Sequence, residues 1–220
     1  MKTSTAADER RRKIGGACLL AAPLVLLAGD SMRAGAGLRY ESLVLMKLSF
    51  ALFVAAVLAL VHLLRERADR TGLAGGALAI VGCLSGSGIV TAAMIGVSLE
   101  SAALGEPVER AVEEAMRAGG VPAFLFLFPL PGLAFPAGLL VLSVGLLRAK
   151  AAPVPAAVLL AVGALLFPVG RIGGIEPAVL ASSVAISASM GWMGWRIIKR
   201  EAPGWERVAP AGALGDELTA

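Results

Sequence analysis

Six stretches of the chain, at 14–29, 43–64, 73–99, 121–147, 153–170 and 177–198, are almost wholly apolar, and short polar or charged segments separate them. A helix needs roughly 17 to 25 apolar residues to cross the hydrocarbon of a bilayer. The second and sixth stretches meet that length directly. The third and fourth exceed it, leaving room for tilt or interfacial turns, while the first and fifth are short. The pattern predicts an all-α polytopic transmembrane bundle of about six helices. It divides the chain into a basic N-terminus (1–13), a transmembrane domain (14–200) and a polar, Pro- and Gly-containing tail (201–220) expected to be disordered.

Between the third and fourth stretches, 101–120 carries Glu106, Glu109, Arg110, Glu113, Glu114 and Arg117, with Val108, Ala111, Val112, Ala115 and Met116 near helical spacing. This segment reads either as a short amphipathic helix on the outer surface or as a solvated connecting loop.

Composition strengthens the membrane reading. Hydrophobic residues make up 57% and charged ones 16%, against about 25% charged in a soluble domain. A soluble fold would leave much of that aliphatic surface wet, so the lipid bilayer is the expected surrounding. The formal charge of +4 does not point to nucleic acid, because the basic residues cluster in short turns between apolar runs. With the N-terminus inside, fourteen of the twenty Lys and Arg fall on the inner side, in the groups 2–13, 65–70, 148–150 and 196–207. Arg33, Arg39, Arg110, Arg117 and Arg171 fall outside, and Lys47 lies within the second helix. Retention of positive charge in cytoplasmic loops then predicts that both termini of this multi-pass protein are cytoplasmic. A rival reading of the first stretch is a secretory signal, with Ala34-Gly35-Ala36 as its small-residue cleavage site.

Packing signals are strong in the third helix. Gly72 and Gly76, Gly82 and Gly86, and Gly88, Ala92 and Gly96 recur at intervals of four, with Ser85, Ser87 and Thr91 adding hydroxyls. Such spacing lets helix backbones approach closely, so this helix is expected at the centre of the bundle. The sixth helix repeats the theme with Ser182, Ser183, Ser187 and Ser189. In the fourth, Pro129, Pro131 and Pro136 predict a broken hydrogen-bond ladder and a kink or hinge in its outer half. The segments 63–68 and 146–151 echo one another as basic turns, suggesting two hairpins of like orientation.

Ionisable groups within a membrane are costly, so each is a candidate site. Lys47, Arg171, Glu176, Glu41 and Glu100 all fall toward the outer side and could line an outward-facing pocket beside the proline-rich helix. The simpler alternative is that Lys47 snorkels to the headgroups and Arg171 pairs locally with Glu176. His62 is the single histidine and cannot by itself build a zinc or haem site. Cys18 and Cys83 fall at different depths and read as free thiols. There is no His-Glu-x-x-His, P-loop or dinucleotide fingerprint, so no catalytic residue, metal or cofactor is expected, and an enzyme is not the favoured reading. Ser85-Gly86-Ser87-Gly88 would need His62 at matching depth to form a nucleophilic dyad.

Three stretches carry a resemblance: Leu64-Arg65-Glu66-Arg67-Ala68-Asp69-Arg70-Thr71-Gly72-Leu73-Ala74-Gly75, Gly163-Ala164-Leu165-Leu166-Phe167-Pro168-Val169-Gly170-Arg171-Ile172, and Gly191-Trp192-Met193-Gly194-Trp195-Arg196. In these the chain resembles a set of uncharacterised bacterial six-helix integral membrane proteins. The resemblance implies a fold and no catalytic residues. Two functions remain open: small-molecule binding or transport through an outward pocket, or a structural or regulatory subunit whose helix faces meet a membrane partner protein.

Overall fold

The computed structural model of the chain describes residues 6–37, 39–65, 69–101, 114, 118 and 129–199. Among them are six helices: α1 (Ala6–Ala36), α2 (Tyr40–Leu64), α3 (Asp69–Ser101), α4 (Pro129–Arg148), α5 (Val154–Gly173) and α6 (Glu176–Ile198). No strand occurs among the described residues. Five of the helices are long and apolar enough to cross a membrane, and α4 contributes a shorter apolar stretch at Leu133–Arg148. The segment predicted as an outer amphipathic helix, 101–120, and the tail 201–220 lie almost wholly outside the described residues.

Each helix packs against its neighbours in sequence, and α6 returns to α1, so the bundle closes as a ring. Aromatic rings fill its middle. Phe135 of α4 stands edge-on to Phe50 and Phe53 of α2, with centroids 5.9 and 5.1 Å apart, and tilted against Phe167 of α5 at 5.1 Å. Such edge-to-face pairs favour the contact of positive ring edge with negative ring face beyond simple burial.

Hydroxyls of serines lock neighbouring helices together. Ser49 of α2 donates to the Ala22 carbonyl of α1 at 2.8 Å, and Ser143 of α4 to Ala157 of α5 at 2.9 Å. From α6, Ser182 donates to Gly163, Ser189 to Ala156 and Ser187 to Pro23, at 2.8, 2.6 and 2.9 Å. All five bonds are buried. In hydrocarbon a hydroxyl gains little by remaining unpaired, so each bond fixes a helix pair in register. The serines expected to pack α6 therefore do so, and α6 is the most enclosed span, with 56% of its apolar window buried.

The expected central position of α3 is not observed. Its window is 28% buried, the least of the five spans, and Leu73, Val81, Leu84 and Ile95 are exposed. The glycines act on two flanks. A Cβ at Gly76 would stand 2.3 Å from Val61 of α2, and one at Gly82 would stand 2.1 Å from the Phe135 backbone of α4. Small residues thus allow two close neighbours, while the remaining face has none among the described residues.

The expected break at Pro129, Pro131 and Pro136 falls at the edge of the described residues, where the described part of α4 begins at Pro129. Of the three, Pro136 falls inside the helix. The residues before Pro129 lie outside the described set.

One end of the ring gathers the basic turns. Leu64, Thr71 and Gly145 meet there, so the end of α2, the first turn of α3 and the last turn of α4 lie together. Arg12 joins that end to α6, donating to the carbonyls of Ile197 and Ile198 at 2.9 and 2.7 Å. Both ends of the six-helix ring therefore lie beside these turns. Helix α1 already takes in the basic residues 10–13, and Ala34-Gly35-Ala36 falls in its last turn.

Candidate functional site

At the opposite end of the bundle, α1, α5 and α6 enclose one ion pair. Asp30 lies in α1 nearly two turns before its last residue, Ala36, where a lone buried carboxylate would be costly. Its carboxylate is nonetheless fully buried, because the Arg171 side chain, 19% exposed, reaches it from the last turn of α5. Nη2 of Arg171 donates to both carboxylate oxygens, and the Ser183 hydroxyl of α6 donates to Oδ2. Beneath the guanidinium lies the Phe167 ring, 4.0 Å from Cζ to centroid, whose negative face favours the cation. Nη1 of Arg171 is buried and has no partner among the described residues.

The turn that aims Arg171 is glycine-dependent. Gly174 caps α5 at φ 67°, a left-handed conformation that side chains disfavour, and the Ile175 N–H bonds back to the Gly170 carbonyl at 2.9 Å. This closes the connection to α6 in two residues. Beside the ion pair, Asp30, Arg33, Ala34, Glu176, Val179 and Leu180 line a cleft with room for about one water molecule.

Among the described side chains, Lys47 and Arg171 bond to different partners on different helices. Arg171 has Asp30 as its ion-pair partner, in place of Glu176; Glu176 lines the adjacent cleft. Lys47 belongs to a different helix pair: its Nζ donates to Thr91 Oγ1 of α3 at 2.9 Å on an exposed surface. Glu41 is exposed in the first turn of α2. Glu100 lies in the last turn of α3, and its side chain is outside the described residues. Ser85 and Ser87 flank Gly86, which meets Phe50; Phe50 stands about 18 Å along α2 from His62, at 1.5 Å per residue. A serine–histidine dyad is thereby excluded. Cys18 and Cys83 are free thiols, and the described residues contain no cluster of metal-ligating side chains.

Asp30 was not among the sequence-derived candidates. The available signal was an aspartate directly after sixteen apolar residues, in a helix that continues to Ala36. A carboxylate at that place requires a buried cation, and Arg171 is the interior cation that answers it.

A second feature lies on α3. Its exposed face repeats every seven residues: Ala74, Val81, Gly88 and Ile95, with Ala77, Leu84, Thr91 and Ser98 between them. Thr91 is half-buried and the other seven are exposed. This is the interval by which one helix presents a seam to another. Its outer half sets Gly88, Thr91 and Ser98 around one large side chain, Ile95, and nothing among the described residues lies within 4 Å of a Cβ built at Gly88 or Gly96. The exposed face of α5 is different, consisting of Val154, Val158, Val162, Leu165, Val169 and Ile172.

Comparison with protein-family models, curated proteins and solved structures yields no match.

Proposed function

We propose that this chain is a non-catalytic membrane subunit that works by helix–helix contact, with the exposed seam of α3 as its docking face. The observation that carries the reading is the open outer half of α3, where the exposed Gly88, Ala92 and Gly96 recur at intervals of four and no described residue lies within 4 Å of a Cβ built at Gly88 or Gly96. Lipid tails pack against large aliphatic side chains as readily as a helix does. A glycine-lined groove instead favours a second helix, whose backbone approaches closely and gains dispersion contacts. The other candidate face, α5, offers only large aliphatics. In this reading the protein sits in a bacterial inner membrane with the arginine-rich end of the ring in the cytoplasm.

The test uses Gly88→Leu and Gly96→Leu in the full chain. Both variants keep the wild-type melting temperature in detergent but lose the larger complex that the wild type forms in native-lipid discs. A wild-type chain that runs as a monomer in such discs sinks the proposal.

One observation favours a second reading, recognition of a small ligand's polar group at the outer end of the bundle: Nη1 of Arg171 is buried without a partner among the described residues, and its ion-pair partner Asp30 lines a cleft with Arg33 and Glu176. Arg33→Gln and Glu176→Gln then abolish ligand-induced thermal shifts across a metabolite screen without altering basal stability. Equal shifts in wild type and variants remove this reading.

A further inference from the structure

Lys47 is an ionisable group in the interior of an apolar helix, and among the described residues most of its bonding capacity is unused. It stands about 10 Å along α2 from Tyr40, at 1.5 Å per residue, and its side chain is exposed. An ammonium offers three donors. Among the described residues one is taken, by Thr91 Oγ1, and no carboxylate pairs with it. A charge at this depth is costly until something neutralises it. The Thr91 hydroxyl is itself committed, donating to the Ser87 carbonyl at 2.8 Å, so it accepts from Lys47 without compensating its charge.

Thr91 also places the ammonium. It belongs to the seven-residue seam of α3, between Gly88 and Ile95, so Lys47 borders the groove proposed above as the docking face. From these juxtaposed features we infer that the occupant of the groove is a transmembrane helix of a different protein, carrying an Asp or Glu level with Thr91. The inference rests on the docking-face reading and adds the partner's chemistry to it.

A second copy of this chain does not fit. Two copies in one membrane share an orientation, so they meet about an axis along the membrane normal, with the same patch on both sides. Pairing α3 with α3 brings two Lys47 ammoniums to one seam, where like charges repel. A carboxylate converts the same position into an ion pair in a medium of low dielectric, where the attraction is strong. A lipid phosphate could neutralise Lys47 too, but it sits at the headgroup level, and the bond that Lys47 Nζ makes among the described residues runs to Thr91 of α3.

The experiment reconstitutes the full chain in phosphatidylcholine nanodiscs at pH 8 with a synthetic apolar transmembrane peptide. The peptide has a small-residue face and one Glu placed level with Thr91; its control has Gln there. Association is read by fluorescence energy transfer. The Glu peptide binds wild type about tenfold more tightly than the Gln peptide, as expected for a strong polar contact between membrane helices. Lys47→Met abolishes that preference, and Gly88→Leu releases both peptides. Equal binding of the two peptides, with both still released by Gly88→Leu, overturns the acidic partner and leaves the docking face standing. Failure of either peptide to bind overturns both. A Glu preference that survives Lys47→Met, or that vanishes when anionic phosphatidylglycerol is added, assigns Lys47 another role and overturns the inference.

Discussion

Nη2 of Arg171 grips both carboxylate oxygens of Asp30, at 2.9 and 2.8 Å, across 141 residues of sequence. The pair ties the last turn of α5 to α1, and Ser183 adds α6 to the same carboxylate. Two opposite charges cancel inside the bundle, so neither is carried alone in a low-dielectric interior. Removing one partner strands the other.

Asp30→Ala or Arg171→Met alone is therefore expected to cost about 3–5 kcal/mol, the usual result of leaving one buried charge without its partner. The double variant Asp30→Leu with Arg171→Met recovers most of that loss, because no charge remains to be solvated. Thermal unfolding in detergent, followed by tryptophan fluorescence, measures all three. A double variant as unstable as the sum of the two singles contradicts the ion-pair account.

The close approaches of α3 and α4 give a second prediction. A Cβ at Gly82 would stand 2.1 Å from the Phe135 nitrogen, and one at Gly138 would stand 2.3 Å from the Ala79 nitrogen. Backbone cannot yield as a side-chain tip does, so Gly82→Ala and Gly138→Ala each cost about 3 kcal/mol or more. Gly88→Ala, made on the open seam, leaves the melting temperature unchanged. Comparable losses at Gly82 and Gly88 would show that Gly88 is enclosed as well.

These contrasts mark what the sequence could disclose. The helices were legible because apolar runs of membrane length have few other solutions, and the four serines of α6 were legible because hydroxyls in lipid seek partners. The place of α3 was not. Spacing by four reveals that a face is small, but not whether a neighbour occupies it: Gly82 and Gly88 look alike in sequence, and only Gly82 meets another helix among the described residues. Asp30 stayed hidden for a related reason. Its partner lies in a helix reached only when the ring closes, so no local pattern joins position 30 to position 171. Lys47 stands out in sequence as a charge in an apolar run, but no local pattern shows that it bonds to Thr91 while Arg171 bonds to Asp30.

A third prediction concerns the α4–α5 connection. Lys150 adopts φ 50°, and its neighbour Ala151 donates to the Leu146 carbonyl at 3.1 Å, so a lysine occupies the left-handed capping position that glycine usually fills. Lys150→Gly relieves the contact between Cβ and backbone and is expected to stabilise the protein by about 0.5–1 kcal/mol. A rise in melting temperature checks it; a fall would mean that the lysine side chain contributes more than its backbone strain costs.

Arg12 separates two meanings of a basic N-terminus. Charge that merely orients a membrane protein acts through its sign and its side of the bilayer, so Arg10, Arg11 and Arg12 would be interchangeable. The structure distinguishes them: Arg10 and Arg11 are exposed, whereas Arg12 is 6% exposed. Its Nη1 donates to the carbonyls of Ile197 and Ile198 at the C-terminus of α6, where a helix has carbonyls without intrahelical partners and a cation is favoured. Because α1 and α6 are the first and last members of the ring, this contact helps to close it. Arg12→Gln is expected to cost about 1.5–3 kcal/mol, the range for a hydrogen bond to a charged group, and to raise amide hydrogen exchange in the last turn of α6. Arg10→Gln and Arg11→Gln leave both measurements unchanged, and equal effects from all three substitutions would reduce Arg12 to a topological charge.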